Sequence, residues 1–355
     1  MKKKIIIMAG GTLGHISPGL EIAKSLQKNG WKIFWIGCAN TMEAKIIPKY
    51  NIPINFINTT GVRGKSFLNL ITIPIKIIRA CYQAQIIIKK INPDVILGMG
   101  NYISVPGGII SYLYNKPLII HEQNRVLGLA NKLLSKFATI NMQAFPNTIR
   151  IKKNSITVGN PIRKSINNLK FSYKRFKNRL GPLKILVIGG SQGAEIFNFT
   201  FPKVVKVLKN KIILWHQVGN TNIKIMKKIY EKMINYNIYK VTPFIKDISK
   251  AYYWADLIIC RSGALTVSEI QHVCLPAIFV PYPHKDKHQY WNALPLKTAK
   301  GAKIIMQSNF NADIIISILK NLDRKTLIKM SKNLSTNYKI NSTQKITQII
   351  EKLVL

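Results

Sequence analysis

Two stretches of the chain carry the same pattern: a short unbroken apolar run, a glycine-rich turn, then apolar residues at helical spacing. The first runs from Lys4 to Ala9, turns through Gly10-Gly11-Thr12-Leu13-Gly14-His15, and continues as a helical pattern from Pro18 to Asn29. The second runs from Lys184 to Ile188, turns through Gly189-Gly190-Ser191-Gln192-Gly193, and enters a helix at Ala194. Their first glycines lie 189 − 10 = 179 positions apart, about half the chain. Further apolar runs follow each, at Trp31–Gly37, Val95–Gly98 and Leu118–His121, then at Ile212–Gln217, Leu257–Cys260 and Ala277–Val280. Continuous apolar strands alternating with helical segments imply parallel sheets with right-handed crossovers. The expected fold is therefore α/β, with two Rossmann-like domains facing across a cleft. We place the first domain at 1–162 and the second at 163–340, with the junction between Asn160-Pro161 and Pro182. A last helix, about Ser342 to Leu353, fits packing on either domain by pattern alone; we assign 341–355 to the first.

Composition changes this picture little. At 355 residues and 47% apolar the chain has enough material for two packed domains. The four cysteines, Cys38, Cys81, Cys260 and Cys274, form no CxxC pair, which argues against a zinc site and against a disulfide framework. The start resembles a signal peptide, but its apolar run is short and ends in a glycine turn, so it reads as a first strand. No apolar run is long enough to span a bilayer. The formal net charge of +41 is extreme. Its lysines are dispersed among isoleucines, with only Lys2 to Lys4 forming a longer run, and no basic block is interleaved with stacking aromatics. Nucleic acid is therefore not an expected partner. A basic drift in composition accounts for most of the charge, and an anionic membrane surface is the next reading.

The glycine turns call for a ligand class. A dinucleotide fold needs a carboxylate at the end of its second strand to hold the ribose. Gly37-Cys38-Ala39-Asn40 and His216-Gln217-Val218-Gly219 occupy those places without one, which speaks against NAD or FAD. No GxxxxGK[ST] is present either. A third helix start is more informative. Strand Leu257–Cys260 runs into Arg261-Ser262-Gly263 and then Ala264-Leu265-Thr266-Val267-Ser268-Glu269. Free amides at that helix start suit a diphosphate, and Glu269 lies where it would accept both hydroxyls of the attached ribose. Equally, Glu269 could only favour an early helical turn, and the Gly-Ala-Leu-Thr stretch could serve sheet packing. No Asp-x-Asp is present to hold a metal on a nucleotide diphosphate. His284, Asp286 and His288 alternate, but the flanking prolines and lysines make that segment a loop, so no metal site is assigned. Helix starts and arginines such as Arg163 or Arg261 would then neutralise a leaving diphosphate. His15 closes the first glycine turn, where it could act as a base on a sugar hydroxyl or merely brace the loop. His121-Glu122-Gln123-Asn124 follows a strand end in the same region, with Glu122 placed to orient a histidine or meet an acceptor. His216 and His272 read as structural.

Taken in order, these motifs resemble the MurG family of bacterial N-acetylglucosamine transferases over nearly the whole chain. The marks are Gly10-Gly11-Thr12 with Gly14-His15, His121-Glu122-Gln123-Asn124, Val158-Gly159-Asn160-Pro161-Ile162-Arg163, Gly189-Gly190-Ser191-Gln192-Gly193, the Cys260–Glu269 segment, and Gln289-Tyr290-Trp291-Asn292-Ala293. The resemblance implies the GT-B arrangement and transfer of N-acetylglucosamine from UDP-N-acetylglucosamine to undecaprenyl-diphospho-N-acetylmuramoyl-pentapeptide (lipid I), with inversion and no tightly bound metal or cofactor. It assigns the ribose to Glu269, the uracil to the backbone of Ile245, and the diphosphate to Ser191 and Ala264, Leu265, Thr266, Val267 and Ser268. Asn124, Arg163 and Gln289 complete the donor site with Thr12, Leu13 and Gly14. His15 is the implied base, with Glu122 and Tyr102 toward the acceptor. The resemblance also implies the cytoplasmic face of the inner membrane, peripheral attachment, and other cell-wall synthesis proteins as partners. Phe67, Leu70, Ile71, Ile73 and Ile75 beside Lys65, Lys76 and Arg79 would meet that membrane or pack on the chain's own sheet.

Two departures stand out. Leu13 replaces a glycine of the family's first turn, and leucine would strain any position needing positive φ. Asn101 and Val105 replace small residues in the loop Gly100–Gly108. Rival classes are a UDP-N-acetylglucosamine 2-epimerase on the same fold and, more distantly, a basic nucleic-acid-binding protein.

Overall fold

A computed structural model describes residues 2–59, 73–149, 154–169, 173–176, 179–190, 193–233, 237–335 and 341–354. The chain divides into two compact units, Met1–Arg163 with Ile340–Leu355, and Lys164–Lys339.

The first unit holds β1 (Lys4–Met8), α1 (Leu13–Lys28), β2 (Lys32–Gly37), α2 (Met42–Ile46), β3 (Ile54–Phe56), α3 (Ile73–Ile91), β4 (Val95–Gly98), α4 (Ser104–Leu113), β5 (Leu118–Glu122), α5 (Leu129–Leu134), β6 (Ile140–Gln143) and β7 (Ser155–Thr157). Its sheet runs β3-β2-β1-β4-β5-β6-β7. Every pairing is parallel. Alternation along β1 feeds both faces. Ile5 and Ile7 join a core with α1, while Ile6 and Met8 join one with Ala84, Ile88 and Ile110 of α3 and α4. A strand buried on both faces reads as an unbroken apolar run, which is why β1 carries none of the polar alternation of a half-exposed strand.

The second unit holds α6 (Lys164–Asn167), β8 (Leu183–Ile188), α7 (Glu195–Leu208), β9 (Ile212–Gln217), α8 (Ile223–Glu231), β10 (Ile238–Thr242), α9 (Ile248–Trp254), β11 (Leu257–Cys260), α10 (Ala264–His272), β12 (Ala277–Phe279), α11 (His288–Thr298), β13 (Ala302–Ile304), α12 (Ala312–Lys320) and α13 (Arg324–Ser335). Its sheet, β10-β9-β8-β11-β12-β13, is likewise parallel. The final helix, α14 (Ser342–Leu353), lays Ile346 and Ile350 into the first unit's core beside α1. Lys345 Nζ donates to Thr157 O at 2.8 Å.

In both sheets the strand order reverses beside the first strand, between β1 and β4 and between β8 and β11. The crevice at the carboxyl ends of such strands is where doubly wound sheets hold ligands. The glycine turns leave β1 and β8 at those points.

Two local expectations are corrected. The helix after the first turn starts at Leu13, before Pro18, because the Thr12 carbonyl already accepts His15 N and Ile16 N, each at 3.1 Å. Leu13 consequently takes helical φ and is absent from the positive-φ residues, so no backbone strain attaches to it. The left-handed positions beside this turn include Gly11, at φ 78°, Gly100, at φ 80°, and Asn101, at φ 72°. Asparagine tolerates that conformation better than other non-glycine residues. Asn101 uses its side chain as well, donating from Nδ2 to Gly10 O at 2.9 Å and accepting from Tyr102 N.

Candidate active site

In the first unit, residues from four segments converge beyond the ends of β1, β4, β5 and β7. His15 sits in the first turn of α1, half-buried. Its Nδ1 lies 3.0 Å from Met99 O and 3.0 Å from Gln123 Oε1. Gln123 is buried, and its Nε2 donates to His121 Nδ1 at 3.1 Å and to His121 O at 3.2 Å. His121, fully buried, reaches Gly159 O through Nε2 at 2.9 Å. Burial pushes the His121 imidazole down to about 4, against the pull of its bond to Gly159 and with help from neighbouring His15. It is therefore neutral at pH 7. Asn160 Nδ2 holds Gln123 O at 3.1 Å.

Glu122 does not touch either histidine. Its Oε1 accepts Asn124 N at 3.0 Å and Asn124 Nδ2 at 3.3 Å, and its Oε2 accepts Gly128 N at 3.1 Å and Asn131 Nδ2 at 2.9 Å. With four donors and burial, this carboxylate braces the 122–131 loop, and the residue that orients a histidine is its neighbour Gln123. Asn124 takes part in that brace. Tyr102 is half-buried, and burial raises its hydroxyl's pKa. Thr12, Leu13 and Gly14 are exposed at the start of α1, which carries no acidic residue in its first turn.

The first glycine turn already holds an anion of the protein's own. Glu43, fully buried on α2, accepts Gly11 N at 3.1 Å and Cys38 N at 3.0 Å. A Cβ on Gly10 would lie 2.3 Å from Glu43 Oε1, so the turn must be glycine to admit that carboxylate. In the sequence Gln123 stands out only as a member of the His121–Asn124 motif, with no role of its own, and Glu43 not at all. Only the position of Glu43 just past β2 could have drawn attention to it.

In the second unit the α10 start is built as a cradle. Gly263 is its N-cap, with no acidic residue in the first turn. Ser262 is fully buried, and among the described residues its Oγ has no hydrogen-bond partner. Gln289 Oε1 accepts Tyr282 N at 2.9 Å and Ser262 N at 3.3 Å, tying the 281–289 loop to the cradle. Glu269 is buried, and Tyr252 OH donates to its Oε2 at 3.0 Å. Ala264 and Val267 turn their side chains into the protein, Leu265 and Thr266 are half-exposed, and Ser268 Oγ donates back to Ala264 O at 3.0 Å. Ile245 is buried in the loop before α9, two residues ahead of its N-cap Asp247. From β9, Gln217 Nε2 holds Gly190 O at 2.8 Å and Pro243 O at 3.0 Å. Ser191 lies outside the described residues. Arg163 ends the first unit.

Arg261 is engaged by the protein itself. Its guanidinium donates to Val280 O at 3.0 Å and Gln307 Oε1 at 2.7 Å, and stacks over Phe197 and Tyr282. The planar fork is consumed in bracing the end of β12. The 284–288 segment is more ordered than its composition suggested. Asp286 Oδ1 lies 2.9 Å from His284 Nδ1 and 2.6 Å from His288 Nδ1, and accepts His288 N at 3.2 Å, where α11 begins. Burial raises the Asp286 carboxyl, but the His288 and His284 bonds outweigh it and hold it well below the usual range.

Residues 5–143 match the glycosyltransferase family 28 N-terminal domain, and residues 184–352 its C-terminal domain. The chain belongs to glycosyltransferase family 28. A relative from Buchnera aphidicola subsp. Baizongia pistaciae is 68% identical over 99% of both chains. It is named UDP-N-acetylglucosamine–N-acetylmuramyl-(pentapeptide) pyrophosphoryl-undecaprenol N-acetylglucosamine transferase. The crystal structure of MurG from Acinetobacter baumannii superposes with a TM-score of 0.83 at 33% identity, covering 99% of each chain. This family 28 chain thus has the two Rossmann-like domains of the GT-B type. A Listeria monocytogenes structure described as a putative UDP-N-acetylglucosamine 2-epimerase shares the fold, with a TM-score of 0.65 at 14% identity, covering 99% of this chain and 97% of that one. At that identity the likeness concerns the fold alone.

Proposed function

We propose that this chain is the transferase that moves N-acetylglucosamine from UDP-N-acetylglucosamine to the C4 hydroxyl of the muramoyl unit of lipid I, in peptidoglycan synthesis. The observation that carries this is the end-to-end identity of 68% to a relative of that name. The epimerase reading has only the fold behind it.

The chemistry follows from the two sites. The diphosphate lies on the α10 start, where the amides of the first helical turn meet negative charge without a competing carboxylate. Glu269 takes the ribose, one oxygen steadied by Tyr252, and Ile245 takes the uracil through its backbone. Asn124, Arg163, Ser191 and Gln289, with Thr12 to Gly14, complete the donor's surroundings. The acceptor hydroxyl attacks the anomeric carbon from the face opposite UDP, so the configuration inverts. UDP departs as a stabilised anion and needs no general acid. One base is required, and His15 supplies it: Nδ1 is committed to Met99 O and Gln123, and Nε2 receives the hydroxyl proton.

The acceptor is lipid-linked, so the first unit works at the cytoplasmic surface of the inner membrane. Among the described residues no helix is long and apolar enough to cross a membrane. Of the proposed contact, Phe67, Leu70, Ile71 and Lys65 lie outside the described residues, but α3 continues it. Ile75, Ile78, Tyr82 and Ile86 are exposed and fall within about 80° of one another at 100° per residue. Ala80, Ala84 and Ile88 on the opposite side are buried. Arg79, Lys90 and, farther round, Lys76 line one side of the apolar stripe, Lys89 closes its C-terminal end, and α3 carries no carboxylate. Such a face suits shallow insertion among anionic headgroups. Contacts with other cell-wall synthesis proteins belong to the same reading.

The experiment is incubation with radiolabelled UDP-N-acetylglucosamine, with and without lipid I. Label should enter the lipid fraction only when acceptor is present. Free N-acetylmannosamine formed from the donor alone would favour the epimerase.

A further inference from the structure

The bonds around His15 admit a single arrangement of protons. Met99 O and Gly159 O, at the two ends of the chain of contacts, can only accept. His121 Nε2 must therefore carry a hydrogen for Gly159 O. A neutral His121 then presents a lone pair at Nδ1, which accepts from Gln123 Nε2. That orientation of the amide, reinforced by its second donation to His121 O, turns Gln123 Oε1 toward His15. His15 Nδ1 must be N–H, facing both Oε1 and Met99 O. The lone pair of the ring is left on Nε2. Reversing any member sets donor against donor or lone pair against lone pair.

We propose that Gln123 is a positioning residue, joined with His121 and Gly159 in a buried relay that holds His15 as its Nδ1–H tautomer with Nε2 ready to accept a proton. The inference rests on the reading of His15 as the base and deepens it. The relay ties together three separated segments, 121–124, 158–160 and the first turn of α1. Gly100 packs beside it. That residue has φ 80°, which favours glycine, and a Cβ there would crowd Asn131 Nδ2 at 3.2 Å while meeting Gln123 Oε1 and His15 Cε1 at ordinary contact distance, 3.6 Å each. Asn131 Nδ2 and Asn160 Nδ2 pin the backbone carbonyls of His121 and Gln123, so the relay is fixed at its main chain as well. Imidazole in water favours the other tautomer, with the hydrogen on Nε2, which would leave no lone pair there for the sugar hydroxyl. Selecting the tautomer in advance removes that loss and fixes the ring's angle, and small misplacements of a reacting group are costly.

Two measurements test this. The first uses full-length protein labelled with 15N-histidine, its ring nitrogens read by long-range 1H–15N correlation at pH 7.5 without substrate. His15 should appear protonated at Nδ1 and His121 at Nε2. A His15 ring protonated mainly at Nε2 overturns the proposal, and this readout does not depend on whether the chain transfers sugar. The second compares Gln123→Met, which keeps the length and removes the side-chain bonds to His15 and His121, in wild-type and His15→Ala backgrounds. In the wild type, kcat should fall about 10- to 100-fold with the donor KM little changed. In the His15→Ala background the further loss should be less than about threefold, since the group being positioned is gone. An equal loss in both backgrounds would assign Gln123 to the fold alone and defeat the proposal. If Gln123→Met does not fold, the tautomer measurement decides. Absence of sugar transfer by the wild type would defeat the functional reading, with the tautomers still reporting on the relay.

Discussion

Lowering the pH from 7 to 5 should cost this chain about 4 kcal/mol of folding stability through two buried histidines alone. His121 in the first unit is held down to about 4 and His216 in the second to about 3, in both cases chiefly by burial. His216 Nδ1 meets Tyr230 OH at 3.0 Å, while among the described residues its Nε2 has no hydrogen-bond partner. In the unfolded chain each ring takes up its proton near pH 6.5. Below that pH the unfolded state binds protons that the folded state refuses. Stability is therefore complete above about pH 7 and is lost as the pH falls toward the folded values. At pH 5 each ring contributes about 2 kcal/mol to the loss, since the unfolded histidine is almost fully charged and the folded one almost neutral. Urea denaturation at pH 7 and pH 5, followed by tryptophan fluorescence, measures it. His216→Gln removes one titrating ring and should flatten the pH dependence of the second unit by about 2 kcal/mol. If His216→Gln and wild type lose stability in parallel, the ring is not held neutral and the reasoning fails.

Other consequences are equally concrete. Glu269→Ala should weaken UDP binding by about 1.5–3 kcal/mol, the scale of a hydrogen bond to a charged group, as read by titration calorimetry; unchanged affinity would remove Glu269 from the ribose. Asp256 is fully buried between Arg179 and Arg324 and accepts Lys184 N at 3.0 Å. Asp256→Ala strands those cations and should destabilise the second unit by about 3–5 kcal/mol in denaturant titrations, with the first unit's transition unmoved. Ile78→Glu with Tyr82→Glu should abolish sedimentation with vesicles containing phosphatidylglycerol, and wild-type binding should weaken as salt rises. Binding indifferent to both lipid charge and salt would disprove the α3 contact.

The features legible in the sequence were those set by local pattern. Ile5–Met8 and Ile185–Val187 read as strands because parallel strands buried on both faces are apolar throughout. The α10 start was legible because strand, glycine and helix follow one another within a dozen residues. The features that escaped depend on contacts between distant residues. Gln123 lies 108 positions from His15, and Glu43 lies 32 from the turn it enters. Nothing in the local pattern distinguishes Gln123 from Glu122, whose charge drew attention although its oxygens are spent within its own loop. Arg261 misled for the same reason. An arginine at a phosphate cradle suggests an anion, but its reach carries it to the carbonyls after β12. Leu13 stands where the family has glycine, and its place in the first turn of α1 gives it an ordinary φ that the turn's sequence does not reveal.

Transfer by this chain turns on His15 Nε2 receiving the acceptor's proton. The most direct test is the single-turnover rate of labelled N-acetylglucosamine transfer to lipid I by His15→Ala, at saturating donor and acceptor. The rate should fall by about 10²- to 10⁴-fold, the usual contribution of a general base. Transfer at close to the wild-type rate would contradict it.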